Sequence, residues 1–166
     1  MPRLPKTKPL PTEVPSVRIL PMSNKIPGFQ NRTIAEVQQL YFLNKLPKNK
    51  GRFHYLSTGL NAPPGTIVLF QFQAHIIATA IFERDEKFDR PKTDHAGILH
   101  FQPNSFRVFN PINVETMRQA WPHFRAFGHA KQRLNPERYD AFCRLLHSIR
   151  SPQLIRKTSP AGTKAR

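Results

Sequence analysis

The chain has 166 residues, with 26 Lys and Arg against 10 Asp and Glu, a formal net charge of +16 and a single cysteine. Such a charge attracts polyanions, because each neutralised phosphate releases condensed counterions, so nucleic acid is the expected partner. The lone Cys143 excludes an internal disulfide and a cysteine-based zinc cluster within one chain. No run of apolar residues approaches 18, so we expect neither a membrane span nor a membrane partner.

Basic residues are concentrated toward both ends of the chain. Residues 1–25 carry five bases against one acid, and residues 150–166 carry five bases and none. Both ends are rich in proline, a composition that buries too little apolar surface to offset chain entropy. We therefore expect a flexible basic arm over 1–16, one folded domain over 17–149 and a flexible basic tail over 150–166. The alternative for the first arm, a transit peptide, is disfavoured because its prolines would break an amphipathic helix.

The first half of the domain predicts one helix followed by strands. Thr33 and Glu36 have capping-box spacing, and apolar residues recur at helical spacing until Pro47. Strands are predicted over 53–57, 66–72 and 75–82, with a turn over 61–65 and a tight turn at Gln73 and Ala74. Alternation in the third strand predicts two buried faces, one with Ile76, Ala78, Ala80 and Phe82, the other with Ile77, Thr79 and Ile81.

The second half predicts a charged loop, two strands and two helices. The loop covers 83–94, and the strands cover 97–101 and 106–109. Asn113 is predicted to cap a helix that reaches Trp121, and residues 135–137 to begin a last helix. Its apolar face would contain Tyr139, Phe142, Leu146 and Ile149, and ahead of it Phe127, Ala130 and Leu134 would face the core. The fold class is therefore α+β.

The run PGTIVLF at 64–70, followed by HIIATA at 75–80, resembles the glycine-led hairpin of the PUA-like superfamily, which includes ASCH, EVE, YTH and SRA-type domains. The resemblance covers about residues 50–110. It implies a small β-barrel with flanking helices and a pocket facing a basic groove. It also implies binding of nucleic acid, in several relatives with recognition of a modified base.

Aromatic and polar side chains interleave with bases at several places, which is the pattern that stacks on nucleobases and contacts phosphates. Tyr55 is the expected stacking ring, Trp121 a stacking wall, Lys131 a phosphate contact and Gln132 an amide that pairs with a base edge. The full set of candidate nucleic-acid-binding residues is Lys25, Lys50, Arg52, His54, Tyr55, Ser57, Arg107, Trp121, Lys131, Gln132 and Arg133. Tyr55 and Trp121 would otherwise be core residues, and residues 131–133 a solvated face.

Catalysis is the competing class of function. His75, His95 and His100 fall near neighbouring predicted strands, yet no H-x-x-x-H spacing exists, and the acids at 83–86 crowd one segment without the separated Asp of a two-metal site. Some ASCH-like relatives hydrolyse RNA or small amides with Lys, Thr or Ser, and Glu, which Lys131, Ser57 and Glu83 would imitate. The sequence predicts no catalytic residues, no metal and no cofactor.

These observations predict a nucleic-acid-binding module that reads a modified or flipped base in DNA or RNA, with a nuclease as a candidate partner protein. A structural RNA-binding or ribosome-associated protein is the alternative, and an ASCH-like hydrolase or nuclease ranks third. We expect a cytoplasmic or nucleoid-associated location.

Overall fold

The computed structural model describes residues 15–24, 28–56, 58–92, 95–128 and 130–148. Nearly all of the two predicted basic arms lies outside these residues, as does Ile149. Within them the fold is α+β, with seven strands and three helices. No helix in this part of the chain is long and apolar enough to cross a membrane.

The first helix, α1, begins where the capping box predicts. It is α-helical over Ile34–Val37, π-helical over Gln38–Lys45 and α-helical again over Leu46–Lys48. Thr33 Oγ1 accepts from the Glu36 amide at 3.1 Å, and Glu36 Oε1 accepts from the Thr33 amide at 3.1 Å, which satisfies two free donors of the first turn. The buried Gln38 donates from Nε2 to the carbonyls of Ile77 and Phe109, at 2.9 and 2.8 Å. This contact fixes the helix against the sheet.

The strands form one mixed sheet in the order β2-β5-β4-β3-β1-β7, with β6 paired to β4. Their bounds are β1 Val17–Pro21, β2 Arg52–Tyr55, β3 Ile67–Phe72, β4 His75–Lys92, β5 His95–Phe101, β6 Arg107–Ile112 and β7 Arg133–Leu134. β1 is parallel to β3, and every other pair is antiparallel. The expected barrel is left open, because β2 and β7 do not pair.

The predicted charged loop over 83–94 is wrong, because β4 continues through it to Lys92. The first part of β4 pairs with β3 and β6, and the second part, from Phe82 onward, pairs with β5. A charged sequence forms a strand here because β5 supplies its hydrogen-bonding partner, and such context outweighs low strand propensity.

The predicted faces of β4 are also wrong at two residues, Ile76 and Ile77. Ile77, Ala78, Ala80 and Phe82 belong to one core, whereas Ile76 belongs to the other. On the side of β3, Ala78 pairs with Phe70 and Ile76 pairs with Gln71, so Ile77 is an extra residue in β4. A β-bulge inserts one residue and reverses the alternation beyond it, so period-two reading of the sequence fails across that position.

Two hydrophobic cores lie on opposite sides of the sheet. The first packs under α1 and is built on phenylalanine rings, with Phe42, Phe70 and Phe101 fully buried. The second packs under the two C-terminal helices and contains Ile19, Trp121 and Phe142. The sheet is thus buried on both faces over much of its area, as the continuous apolar runs of β3 and β4 predict.

The C-terminal helices begin at the predicted caps. Helix α2 spans Val114–Ala120, with Asn113 Oδ1 accepting from the Thr116 amide at 2.9 Å. A 3-10 turn, Pro136–Arg138, leads into helix α3, Tyr139–Ser148, and Asn135 caps that turn. Phe142 and Leu146 of α3 are buried as predicted. Ala130 is exposed, contrary to prediction, because the segment before β7 is irregular and does not continue a helical face.

Candidate nucleic-acid interface

A groove of about 580 Å³ opens between the segment after α2 and the segment that runs from Gln132 into the turn before α3. We call it the basic groove. One wall contains Trp121, His123, Phe124 and Arg125, and the other contains Gln132, Arg133, Asn135 and Arg138. The predicted residues Trp121, Gln132 and Arg133 thus lie together although they are up to twelve positions apart in the sequence.

The two walls of the basic groove are held in place by hydrogen bonds. Arg118 of α2 donates to the carbonyls of Phe124 and Arg125, at 3.0 and 2.7 Å, and thereby fixes the first wall. Trp121 Nε1 donates across to the Asn135 carbonyl at 2.9 Å. The second wall is anchored by the pairing of β7 with β1 and by the Ile19 amide bonded to the Gln132 carbonyl. The groove is therefore preformed.

The charged side chains that line the basic groove are basic. Arg125, Arg133 and Arg138 are exposed, and none of the described lining residues is acidic. The ion pairs found in the described part of the chain involve none of these three arginines. Buried apolar rings lie beneath them, with Trp121 packed on Phe142 at 5.4 Å between ring centroids. The groove therefore offers three exposed guanidinium groups, with side-chain amides beside them, above an aromatic floor.

A second group of polar residues, which we call the polar cluster, contains Arg18, Tyr55, Thr58, Asp85 and Lys131. Asp85 accepts from the Tyr55 hydroxyl at 2.7 Å and from the Leu60 amide at 3.2 Å. Lys131 Nζ donates to the carbonyl and to the hydroxyl of Thr58, at 2.9 and 2.7 Å. The residues following β2 are therefore tied both to β4 and to the segment before β7.

Arg18 is the most buried cation of the polar cluster, with 8% of its surface exposed. Its guanidinium donates to three carbonyls, those of Leu60, Asn61 and Lys131, while its Nε has no hydrogen-bond partner. Burial, followed by the charge of Arg133, lowers the pKa of Arg18. Burial also lowers the pKa of Lys131, with Arg18 acting in the same direction and Asp85 in the opposite one. Cations are thus crowded beside a single carboxylate.

The expected stacking role of Tyr55 is wrong for this structure, because its ring lies in the first core and only 7% of the residue is exposed. Its position in β2 explains this: Phe53 and Tyr55 point inward, and Arg52 and His54 point outward. Burial, and then the hydrogen bond to Asp85, raise the pKa of Tyr55 to about 12. The ring of Tyr55 therefore belongs to the first core, and neither of its faces is free to stack on a base.

The remaining predicted residues are distributed over other surfaces. Trp121 is a buried core residue that also forms part of the groove floor. Lys131 is half-buried and hydrogen-bonded, so its expected free phosphate contact is replaced by the bonds to Thr58. Arg52 and His54 are exposed on β2, Lys50 on the loop before it, and Arg107 at the start of β6. Lys25 and Ser57 lie outside the described residues.

The described residues bring together no candidate metal site, and they separate the side chains that the hydrolase comparison had named. Among them, no group of three or more His, Cys, Asp or Glu is placed to hold a metal ion. The carboxylate that acts on Lys131 is Asp85 of the polar cluster. The hydrolase comparison pointed to Glu83 as the carboxylate. Glu83 instead lies in β4 at an irregularity between Phe82 and Arg84, where the pairing with β5 shifts.

Sequence reasoning missed several residues of these two sites. Arg125 lies between Phe124 and Phe127, and this alternation of a base with aromatic residues is a usable signal. Arg138 and Asn135 gave only the signal of a helix start, because nothing local shows that the turn faces a groove. Asp85 was assigned to a loop, so its contact with Tyr55 could not be foreseen.

No model of a known protein family matches this chain, and no curated protein sequence matches it. The chain does resemble solved structures. A crystal structure of a mutant of the ASCH protein from Zymomonas mobilis has a TM-score of 0.52 at 11% identity, covering 80% of this chain and 98% of that one. The Pho92 YTH domain, crystallised in complex with m6A, has a TM-score of 0.50 at 11% identity, covering 89% and 96%. ASCH and YTH domains are PUA-like, and the chain shares their fold.

Proposed function

We propose that the protein is a nucleic-acid-binding module that holds a segment of strand in the basic groove. The observation that carries this proposal is the composition of the groove. Three arginines that form no ion pair with a described residue lie on two facing walls, with amides beside them, an aromatic floor and no acidic lining residue among those described. Unpaired arginines attract phosphates, and their planar groups bind phosphate through two hydrogen bonds. A small neutral ligand would not require that charge.

The walls of the groove suggest separate roles for charge and for the amides. Arg125 on one wall and Arg138 on the other are placed to contact the backbone of a strand between them, which positions the strand without reading sequence. Gln132 donates from Nε2 to the Ala126 carbonyl at 3.1 Å, which orients its amide and leaves the oxygen as an acceptor for a base edge. Base discrimination is therefore expected from Gln132 rather than from the arginines.

The finer form of the proposal is that the groove accepts a single unstacked nucleotide, including one with a modified base. The volume of the groove lies within the range of about 300–1,000 Å³ typical of small-ligand sites. Proteins that recognise a base outside the duplex combine apolar packing against it with hydrogen bonds to its edge. Gln132 supplies the hydrogen bond, and the parts of Trp121 and Phe124 that line the groove supply apolar contact, although both rings are too buried to offer a free face for stacking. The m6A complex of the similar YTH fold makes N6-methyladenine a suitable first probe.

The test is the double substitution Arg125→Ala/Arg138→Ala, with Lys48→Ala/Arg90→Ala as a control that removes the same charge from exposed residues outside the groove. Binding is measured by fluorescence anisotropy against single-stranded and duplex probes of equal length, with and without one N6-methyladenine, at several salt concentrations. The groove variant should bind all probes more weakly, with a salt slope shallower by about 0.7 to 0.9 per lost contact. The control should change the affinity and the slope much less.

Two results would contradict the proposal. Equal losses in the groove variant and the control would mean that only overall charge matters. That result would favour the structural RNA-binding alternative, in which basic segments contact phosphates without a defined site. Absence of binding to every probe at low salt would exclude a nucleic-acid-binding function.

A further inference from the structure

A second charged surface lies on the outer face of the sheet where β2, β5 and β4 are adjacent. We call it the histidine face, and it contains Arg52, His54, Arg84, Glu86, His95 and His100. Arg52 pairs with His100, and His54 with Ile98; on the other side of β5, Arg84 and Glu86 pair with the same two residues. Paired residues of an antiparallel sheet share a face, so these side chains lie opposite the buried rings of Phe53 and Tyr55.

The charges of the histidine face are unbalanced. Glu86 is its one carboxylate, and Glu86 Oε1 is contacted by His100 Nε2 at 2.8 Å and by Arg84 at 3.8 Å. Arg52 and the nearby Lys45 of α1 are in none of the ion pairs of the described chain. Two cations therefore lie beside the imidazoles without a carboxylate of their own.

The rings of His54 and His95 are the aromatic component of this face. Their centroids are 5.4 Å apart, with an angle of 63° between the rings. His54 is exposed and His95 half-exposed, so a planar group can reach them from solvent. Imidazole rings stack on nucleobases, and cations flanking such rings contact the phosphates of the same strand.

The basic groove and the histidine face are separate surfaces. The groove adjoins β7, and the histidine face begins at β2, which are the two ends of the strand order β2-β5-β4-β3-β1-β7. None of the residues that form the histidine face lines the groove. A variant of one surface therefore leaves the other intact.

We propose that the histidine face is a second contact surface for single-stranded nucleic acid, at which Arg52 and Lys45 bind phosphates and His54 takes up a proton when the strand binds. The choice of ligand rests on the proposed function, and the location and the proton uptake go beyond it.

The proton uptake follows from the groups around His54. Burial lowers the pKa of His54, and the charges of His95 on β5, Arg52 on β2 and Lys45 on α1 lower it further, while Glu86 on β4 raises it. A bound phosphate neutralises the nearby cations and attracts the imidazolium, which raises the pKa of His54 in the complex. Between these two pKa values, binding takes up a proton, so affinity increases as the pH falls through the region below about 6.5.

The experiment measures proton uptake by the full-length chain on binding a single-stranded oligonucleotide. Isothermal titration calorimetry at pH 6, in two buffers with different ionisation enthalpies and at fixed ionic strength, gives the number of protons. Up to about one proton per chain is expected, with an affinity that rises by at most about tenfold per pH unit. His54→Gln should remove most of the uptake while keeping the melting temperature, since the residue is exposed.

Three further chains make the result interpretable. His75→Gln, outside both surfaces, should keep the proton uptake, and Arg125→Ala/Arg138→Ala should bind more weakly yet also keep it.

If His123→Gln abolishes the proton uptake and His54→Gln does not, the protonated group belongs to the groove and the inference is wrong. Binding with no uptake dependent on His54 also overturns the inference but leaves the proposed function standing. A wild-type chain that binds no oligonucleotide at all overturns both.

Discussion

The polar cluster and the basic groove share one segment of chain, residues 131–133, but differ in how their charged groups are satisfied. Lys131 faces the cluster, where its ammonium is half-buried and bonded to Thr58. Arg133 faces the groove, is exposed and forms no ion pair with a described residue. In a regular strand, residues two positions apart lie on the same face, but Lys131 precedes β7 in an irregular segment, so strand alternation does not set its direction.

The difference teaches which cations are available to a ligand. A cation whose hydrogen bonds are made within the protein contributes to the local structure, and displacing it costs those bonds. A cation without such bonds can contact phosphate and release counterions at little cost. Net charge and spacing do not distinguish Lys131 from Arg133, whereas their environments do: the ammonium of Lys131 is hydrogen-bonded to Thr58, and the guanidinium of Arg133 lines the groove and is exposed.

The largest expected effect is the loss of the Tyr55 ring. Tyr55→Ala removes a buried aromatic side chain and leaves Asp85 without that hydrogen bond, so we expect a loss of about 3–5 kcal/mol in the free energy of unfolding. Tyr55→Phe, the matched control, should lose about 1 kcal/mol, since only the hydrogen bond is removed. Urea unfolding followed by circular dichroism measures both values.

The affinity of the folded fraction of Tyr55→Ala tests the assignment of this residue to structure. We expect it to bind nucleic acid with the wild-type salt slope. A loss of affinity in Tyr55→Phe, at unchanged stability, would show instead that the hydroxyl contacts the ligand and that the polar cluster belongs to the binding site.

A smaller effect separates the two bases of the shared segment. Lys131→Met and Arg133→Met each remove one charge and keep an unbranched side chain. We expect the salt slope to become shallower by about 0.7 to 0.9 in Arg133→Met, because a phosphate contact is lost, and to stay unchanged in Lys131→Met. The measurement is anisotropy titration from low to moderate salt. Equal salt slopes for the two variants would mean that Lys131 and Arg133 contribute alike to binding, which contradicts the distinction between the polar cluster and the basic groove.

The smallest expected effect is a pH dependence of stability specific to the polar cluster. The pKa of Tyr55 is raised to about 12 in the folded state, so above pH 10 the unfolded state loses a proton that the folded state retains. Stability from this group is complete below pH 10 and decreases as the pH rises toward 12. Tyr55→Phe should therefore lose less stability than wild type between pH 10 and 12, as measured by thermal unfolding. Identical losses of stability in the two chains would contradict the raised pKa of Tyr55.

Local sequence features predicted most of the elements. The helix start at Thr33, the turn at Gln73 and Ala74, and the caps at Asn113 and Asn135 all depend on side chains within a few residues, and each is confirmed. The α+β class followed from the order of those elements, and the PUA-like fold was implied by the resemblance of the glycine-led hairpin to that superfamily. Each of these features depends on residues that are close together in the chain, so it can be predicted from the sequence alone.

The tertiary structure alone decided which polar residues form sites. Pairing with β5 makes a strand of the charged segment after Phe82 and thereby places Asp85 against Tyr55. A bulge at Ile77 puts Ile76 and Ile77 on the faces opposite to those that alternation predicts. Hydrogen bonds to Thr58 hold Lys131 half-buried, while Arg133 in β7 stays exposed. The first and last of these outcomes depend on a partner residue more than ten positions away in the sequence. Burial and hydrogen bonding across such distances determine whether a basic or aromatic residue supports the fold or remains free for a ligand, and no local pattern of residues contains that information.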